Sequence, residues 1–181
     1  GRHEVTLWAR DAKQALSLAA DRRNARYLPE IALPDTLHVL PDLEKAIAKA
    51  ELLVAATPVA GLRDLLGRLK GGTVPLLWLC KGFEQESAAL PHEIVAASGI
   101  RGPSGALSGP SFALEVARGL PCALTLASTD AGFAAQAAAQ REKPAAWRAS
   151  FVPPSLPVTS GRRGAPGHLG PAAAALVGMD R

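Results

Sequence analysis

Residues 52–82 read LLVAATPVAGLRDLLGRLKGGTVPLLWLCKG. Two apolar runs, Leu52-Leu53-Val54-Ala55-Ala56 and Val74-Pro75-Leu76-Leu77-Trp78-Leu79-Cys80, bracket a different pattern. Continuous apolar runs of this length suit strands covered on both faces. Pro75 falls near the start of the second run, where a missing N–H is tolerated. Between the runs, Leu62, Leu65, Leu66 and Leu69 recur at helical spacing. Thr57-Pro58 reads as an N-cap with proline at the first helical position. Strand, helix and strand in this order form a crossover unit, so the two strands are expected to be parallel.

The same alternation extends in both directions. Upstream, Glu4-Val5-Thr6-Leu7-Trp8 is strand-like, Ala12 to Arg23 helix-like, Thr36 to Leu40 a short strand and Asp42 to Ala50 a helix capped by Asp42. Downstream, a helix is expected over Glu86–Ala97, then a strand end at Gly105-Ala106-Leu107-Ser108, a short helix from Phe112 to Arg118 and a strand from Cys122 to Ala127. Strands alternating with helices predict a doubly wound, mostly parallel, Rossmann-like α/β sheet over residues 1–140.

The chain has 181 residues, 48% apolar and 20% charged. That is a globular composition, long enough for one domain with an appendage, and it excludes global disorder. No stretch approaches about 18 uninterrupted apolar residues, which excludes a transmembrane helix. Two cysteines exclude a disulfide framework, and Cys80 and Cys122 in apolar runs read as unreactive core thiols of a cytoplasmic protein. No secretory leader pattern opens the chain. It begins at Gly1 in strand-like sequence, so its true start is expected further upstream. His3, His38, His92 and His168 are too scattered for a metal site, and no metal is expected.

The net charge of +4 is local. Residues 141–181 carry six basic and two acidic residues, and residues 1–140 carry 14 of each sign. This tail is rich in Ala, Gly, Pro and Arg and is interrupted by Pro153-Pro154 and Gly161-Arg162-Arg163-Gly164. No sustained apolar period runs through it. Residues 141–181 are therefore expected to be a largely disordered, solvated tail, with one short helix near Ala172–Val177. With only Trp147 and Phe151 as aromatics, the tail lacks the stacking residues of a nucleic-acid arm. Neither nucleic acid nor membrane is an expected partner.

In open parallel sheets, ligands bind outside the carboxyl ends of the strands. Following the strands are Arg10-Asp11, Thr57-Pro58-Val59, Lys81-Gly82-Phe83 and Ser108-Gly109-Pro110-Ser111-Phe112-Ala113. Two cations, small hydroxyls, glycines and helix N-termini together suit phosphate groups. Lys81 directly follows a buried strand and reads as a rim cation; a turn lysine on the surface fits its position equally well. Gly109 permits a tight turn that Pro110 stiffens, leaving Ser111 to cap a helix or to donate to phosphate. Arg10, at the end of a second Rossmann strand, is placed for an NADP 2′-phosphate, although the adjacent Asp11 points the other way.

Four segments in order carry a family resemblance: HEVTLWAR at 3–10, RNARYLP at 23–29, LCKGFE at 79–84 and LSGPSFA at 107–113. Together with GLPCA at 119–123 they resemble the amino-terminal domain of bacterial NAD(P)-dependent sn-glycerol-3-phosphate dehydrogenase, from His3 to about Gln140. The resemblance implies hydride transfer between glycerol 3-phosphate and dihydroxyacetone phosphate, which supplies phospholipid synthesis. It implies NADP or NAD as cofactor and a homodimer for the intact family. By matching position, Arg10, Tyr27, Lys81 and Ala113 would contact the nucleotide, and Lys81, Gly109 and Ser111 the substrate.

The family's first strand and Gly-x-Gly-x-x-Gly turn would precede His3. Its catalytic lysine would follow in a Gly-Gly-Ala-Val-Lys-Asn-type segment, whereas the last lysine here is Lys143. No catalytic residue is therefore assigned. The expected protein is a partial, inactive dehydrogenase with an incomplete sheet of two half-sheets, and its tail fits a shifted reading frame in a GC-rich gene. Two other readings share these residues. One is a non-catalytic nucleotide-binding module, and the other a related 3-hydroxy-acid dehydrogenase domain, although such relatives usually carry more glycine at the Ser108–Ser111 position.

Overall fold

The structure is a computed structural model and describes residues 4–110, 112–120, 123–139, 146–151 and 172–177. The elements run β1 (Glu4–Ala9), α1 (Ala12–Asp21), β2 (Arg23–Asn24), β3 (Leu28–Ala32), β4 (Leu37–Leu40), α2 (Leu43–Ile47), β5 (Leu52–Ala55) and α3 (Val59–Arg68). They continue with β6 (Leu76–Trp78), α4 (Pro91–Ala97), β7 (Ser104–Ser108), α5 (Ala113–Ala117), β8 (Ala123–Ser128), α6 (Ala131–Ala139), β9 (Ala146–Phe151) and β10 (Ala172–Val177). They form two compact units, one from residues 1–102 with 171–181, the other from residues 103–170.

In the first unit, five strands lie in the order β4-β1-β10-β5-β6. Every pairing among them is parallel. The chain moves outward from β1 to β4 on one side and from β5 to β6 on the other. The reversal of direction falls at β10, and in an open parallel sheet this switch point is where a ligand crevice opens. The apolar runs behave as their composition demands: Leu52, Leu53, Ala55, Leu76, Leu77 and Trp78 are buried. Helix α3 buries Leu62, Leu65 and Leu66, the stripe its sequence spacing puts on one side, and packs on α4. Asp11 caps α1, accepting from Lys13 N at 2.8 Å and Gln14 N at 3.4 Å. Asp42 caps α2 in the same way, accepting from Lys45 N at 3.1 Å.

In the second unit, β7 pairs antiparallel with β8, and β8 pairs parallel with β9. Gly105 sets the β7–β8 contact. A Cβ there would stand 2.6 Å from Leu126 Cδ1 and 2.9 Å from the Ala127 carbonyl, so only glycine fits. The buried Ser128 hydroxyl donates to Ser104 O at 2.7 Å and accepts from Asp130 N at 3.0 Å. Asp130 Oδ1 in turn accepts from Phe133 N at 2.8 Å at the start of α6.

Several boundaries differ from the sequence expectation. Thr57 does not cap α3; the cap residue is Pro58, in extended conformation with ψ 155°, and the helix starts at Val59. Helix α4 starts at Pro91 rather than Glu86, because Ala88 adopts a left-handed φ of +56° that ends any helix running through it. Glu93 then accepts from Leu90 N at 2.7 Å and fixes the new start. The expected short helix at Ala172–Val177 is strand β10 instead, paired with both β1 and β5. It fills the slot between the two expected half-sheets. Backbone pairing on two sides outweighs the helix preference of an alanine run. Strand β9 is a second described element of the tail; the rest of 141–181 lies outside the described residues, as do His3, Cys122 and Ser111.

Candidate functional site

The parallel strands of the first unit bring three turns to one edge of its sheet. Arg10 follows β1, Thr57 follows β5, and Lys81 lies beyond the end of β6. Arg10 and Lys81 are exposed. The Asp11 carboxylate accepts from the first turn of α1, where its charge complements the helix dipole.

Thr57 is the unusual residue of this edge. It is 6% exposed, and its hydroxyl has no hydrogen-bond partner. A buried unsatisfied hydroxyl costs about 1–3 kcal/mol. It sits next to the switch point, just before α3. Sequence reading named the segment but gave the hydroxyl to the helix cap. Only the ψ of Pro58 reveals that the cap is not made.

The loop after β6 carries Lys81, Gly82 and Phe83. Gly82 has φ +93°, a left-handed conformation suited to glycine, and open space where a Cβ would point. Phe83 is 63% exposed. The loop begins with Leu79 N donating to Ala55 O at 2.9 Å and closes on Glu84, which Arg63 of α3 grips with both arms of its guanidinium. Arg63 Nε donates to Oε1 at 2.8 Å and Nη2 to Oε2 at 2.6 Å. The Arg63 fork and the Ser87 hydroxyl hold the Glu84 carboxyl down at about 2. Cys80 is half-buried, and burial pushes its thiol up to about 11, so it stays protonated and inert.

Tyr27 lies in the turn between β2 and β3, its ring 5.1 Å from the Arg26 guanidinium. In the second unit, Gly109 follows β7, and Ala113 is the first residue of α5, an exposed helix with no buried residue. Among the described residues no cluster of His, Cys, Asp and Glu could hold a metal, and no helix is long and apolar enough to cross a membrane.

A parallel α/β sheet with cations and an orphan hydroxyl at the carboxyl ends beside its switch point defines a nucleotide-binding protein of the Rossmann class. Residues 1–134 match the model of the NAD-dependent glycerol-3-phosphate dehydrogenase N-terminus. The chain belongs to that family. It is 50% identical over 143 residues to the NAD(P)+ glycerol-3-phosphate dehydrogenase of Dechloromonas aromatica, covering 77% of this chain and 44% of that protein. It is 51% identical over 140 residues to the enzyme of the same name from Methylibium petroleiphilum, covering 75% and 42%. The crystal structure of glycerol-3-phosphate dehydrogenase from Coxiella burnetii superposes with a TM-score of 0.69 at 29% identity, covering 82% of this chain and 46% of that one. The chain thus spans less than half the length of these relatives.

Proposed function

We propose that this chain is the nucleotide-binding part of an NAD(P)-dependent glycerol-3-phosphate dehydrogenase. The observation that carries the reading is the buried, partnerless Thr57 hydroxyl beside the switch point, on the same sheet edge as Arg10 and Lys81. Those groups fit a dinucleotide: the hydroxyl supplies a directed hydrogen bond, and the cations complement its phosphates. Arg10 at the end of β1 suits a 2′-phosphate and hence NADP over NAD. By family position, Tyr27 and Ala113 also contact the nucleotide, and Lys81, Gly109 and Ser111 hold glycerol 3-phosphate or dihydroxyacetone phosphate. When bound, the dinucleotide supplies or accepts the hydride.

The domain is read as residues 1–140, since the family match ends at residue 134 and composition changes soon after; residues 141–181 are a compositionally distinct segment, of which β10 joins the first unit's sheet. Cytoplasmic location, a small-molecule substrate and dimerisation belong to the same proposal. The 181-residue polypeptide by itself, spanning less than half the length of its relatives, is expected to bind nucleotide without turnover.

Titration of the polypeptide with NADPH and NADH, followed by calorimetry, tests this. Saturable binding, tighter for NADPH, is expected, with no NAD(P)H oxidation on adding dihydroxyacetone phosphate. Lys81→Ala should weaken binding about tenfold at unchanged thermal midpoint. A folded chain that binds neither nucleotide below about 1 mM overturns the reading.

A further inference from the structure

The Arg63–Glu84 fork is a two-point ion pair in the first unit; Arg63 lies outside the segments that carry the family resemblance, and Glu84 closes one of them. Arg63 sits in the second turn of α3, the helix that begins just after Thr57. Glu84 sits at the far end of the loop that carries Lys81 and Phe83. One carboxylate organises that loop. Its two oxygens accept from Arg63 Nε and Nη2, at 2.8 and 2.6 Å, and Oε2 also accepts from the Ser87 hydroxyl. Its backbone N–H donates to Ala89 O at 2.9 Å, and its carbonyl accepts from Ala88 N at 2.9 Å. Ser87 Oγ accepts from Ala89 N at 3.1 Å. This closed ring of bonds brackets Ala88, whose left-handed φ is disfavoured for a residue with a Cβ.

The geometry has two consequences for Lys81. The loop is anchored at Leu79 by the bond to Ala55 and at Glu84 by Arg63, so only four residues, Cys80 to Phe83, bridge the anchors. One of them, Gly82, has the backbone freedom that would let Lys81 wander if the second anchor were released. The fork also pairs the carboxylate closest in sequence to Lys81, on a loop that carries Glu86 as well. An unpaired Glu84 would oppose an anionic ligand there.

We propose that Arg63 and Glu84 are positioning residues, which touch no ligand but fix the loop carrying Lys81 and Phe83 to α3 and keep the Glu84 carboxylate paired, away from a phosphate ligand. The inference rests on the nucleotide-binding reading above. A two-point guanidinium–carboxylate pair is what such a task needs, because it fixes orientation as well as distance.

The test uses the full 181-residue chain in five forms: wild type, Arg63→Lys, Arg63→Gln, Glu84→Gln and the exchange Arg63→Glu with Glu84→Arg. Hydrogen exchange of amides 80–90 is read without ligand, and the Kd for NADPH is read separately. Arg63→Gln and Glu84→Gln should each speed exchange of 80–90 while leaving that of β5 and β6 unchanged, and raise the Kd about tenfold. Arg63→Lys keeps the charge but loses the fork and should fall between. The exchanged pair should recover much of both properties, which separates a positioning role from general destabilisation. Unchanged loop exchange in Arg63→Gln overturns the proposal, as does faster exchange with an unaltered Kd. If a variant unfolds, the exchanged pair decides: failure to restore loop protection counts against the fork. A wild-type chain that binds no nucleotide defeats the functional reading instead, and the fork then stands or falls on loop exchange alone.

Discussion

Thr57 separates stability from function at a single atom. Replacing its orphan hydroxyl with a methyl removes an unsatisfied buried group and keeps the shape. Thr57→Val should therefore stabilise the unliganded chain by about 1 kcal/mol and weaken NADPH binding, with calorimetry and thermal melts reading the two effects. Equal or lower stability in the variant would mean that the hydroxyl is satisfied by water. Glu84 gives a pH signature. Its carboxyl is held at about 2 in the folded chain, well below its ordinary 4.5. A depressed carboxyl stabilises the fold above its unfolded value and loses that contribution as pH falls towards 2. Acid exchange of amides 84–89 should therefore stay slow at pH 4 in the wild type and become fast there in Arg63→Gln. None of this was legible in the sequence. An ion pair spanning 21 positions has no local pattern, and the Thr57-Pro58 dipeptide reads as a cap until the Pro58 ψ is known. The placement of Arg10 and Lys81 at the rim was legible, because a charged residue at or just past the end of an apolar strand falls at the sheet edge.

At the scale of elements, strongly periodic segments read true and featureless ones did not. β5, α3 and β6 follow from their apolar runs and leucine stripe. The hairpin β2–β3 was missed because Pro29 and Glu30 are exposed and leave no alternation to detect. Arg22 explains its position: with a left-handed φ of +48°, it donates through Nη1 to Leu37 O at 2.9 Å and through Nη2 to Pro34 O. Helix α6 was missed because its alanines give it no distinct polar face. The legible helix also carries the energetics. Leu66 has no exposed surface, so Leu66→Ala in α3 should lower unfolding stability by about 2–5 kcal/mol by chemical denaturation. A loss below about 1 kcal/mol would mean that α3 is not seated on the core as described.

For the whole molecule, the unexpected feature is where the chain's last strand goes. β10 pairs over Glu4–Ala9 on one side and Leu52–Ala55 on the other, so the middle of the first unit's sheet comes from its far end. The parallel α/β class was legible from alternation. This strand was not, since an alanine run carries no strand preference and only a vacant slot flanked by two strands selects it. Removing residues 171–181 should expose facing edges of β1 and β5, replace one cooperative thermal transition by a broad one and promote self-association. Scanning calorimetry and light scattering would register both. An unaltered sharp transition would show that the first unit does not depend on β10.

The ends of two strands also give the molecule an optical property. Trp8, the penultimate residue of β1, and Trp78, the last of β6, are buried at 3% and 8% exposure. Trp8 donates from Nε1 to Pro41 O at 3.1 Å and lies 4.9 Å beneath the Arg68 guanidinium at the end of α3. Indoles shielded from water emit at shorter wavelength than hydrated ones, close to where a reduced nicotinamide absorbs. A reduced nicotinamide bound on the sheet edge above them, as proposed, should accept excitation from these rings, and titration with NADPH should then dim the indole emission.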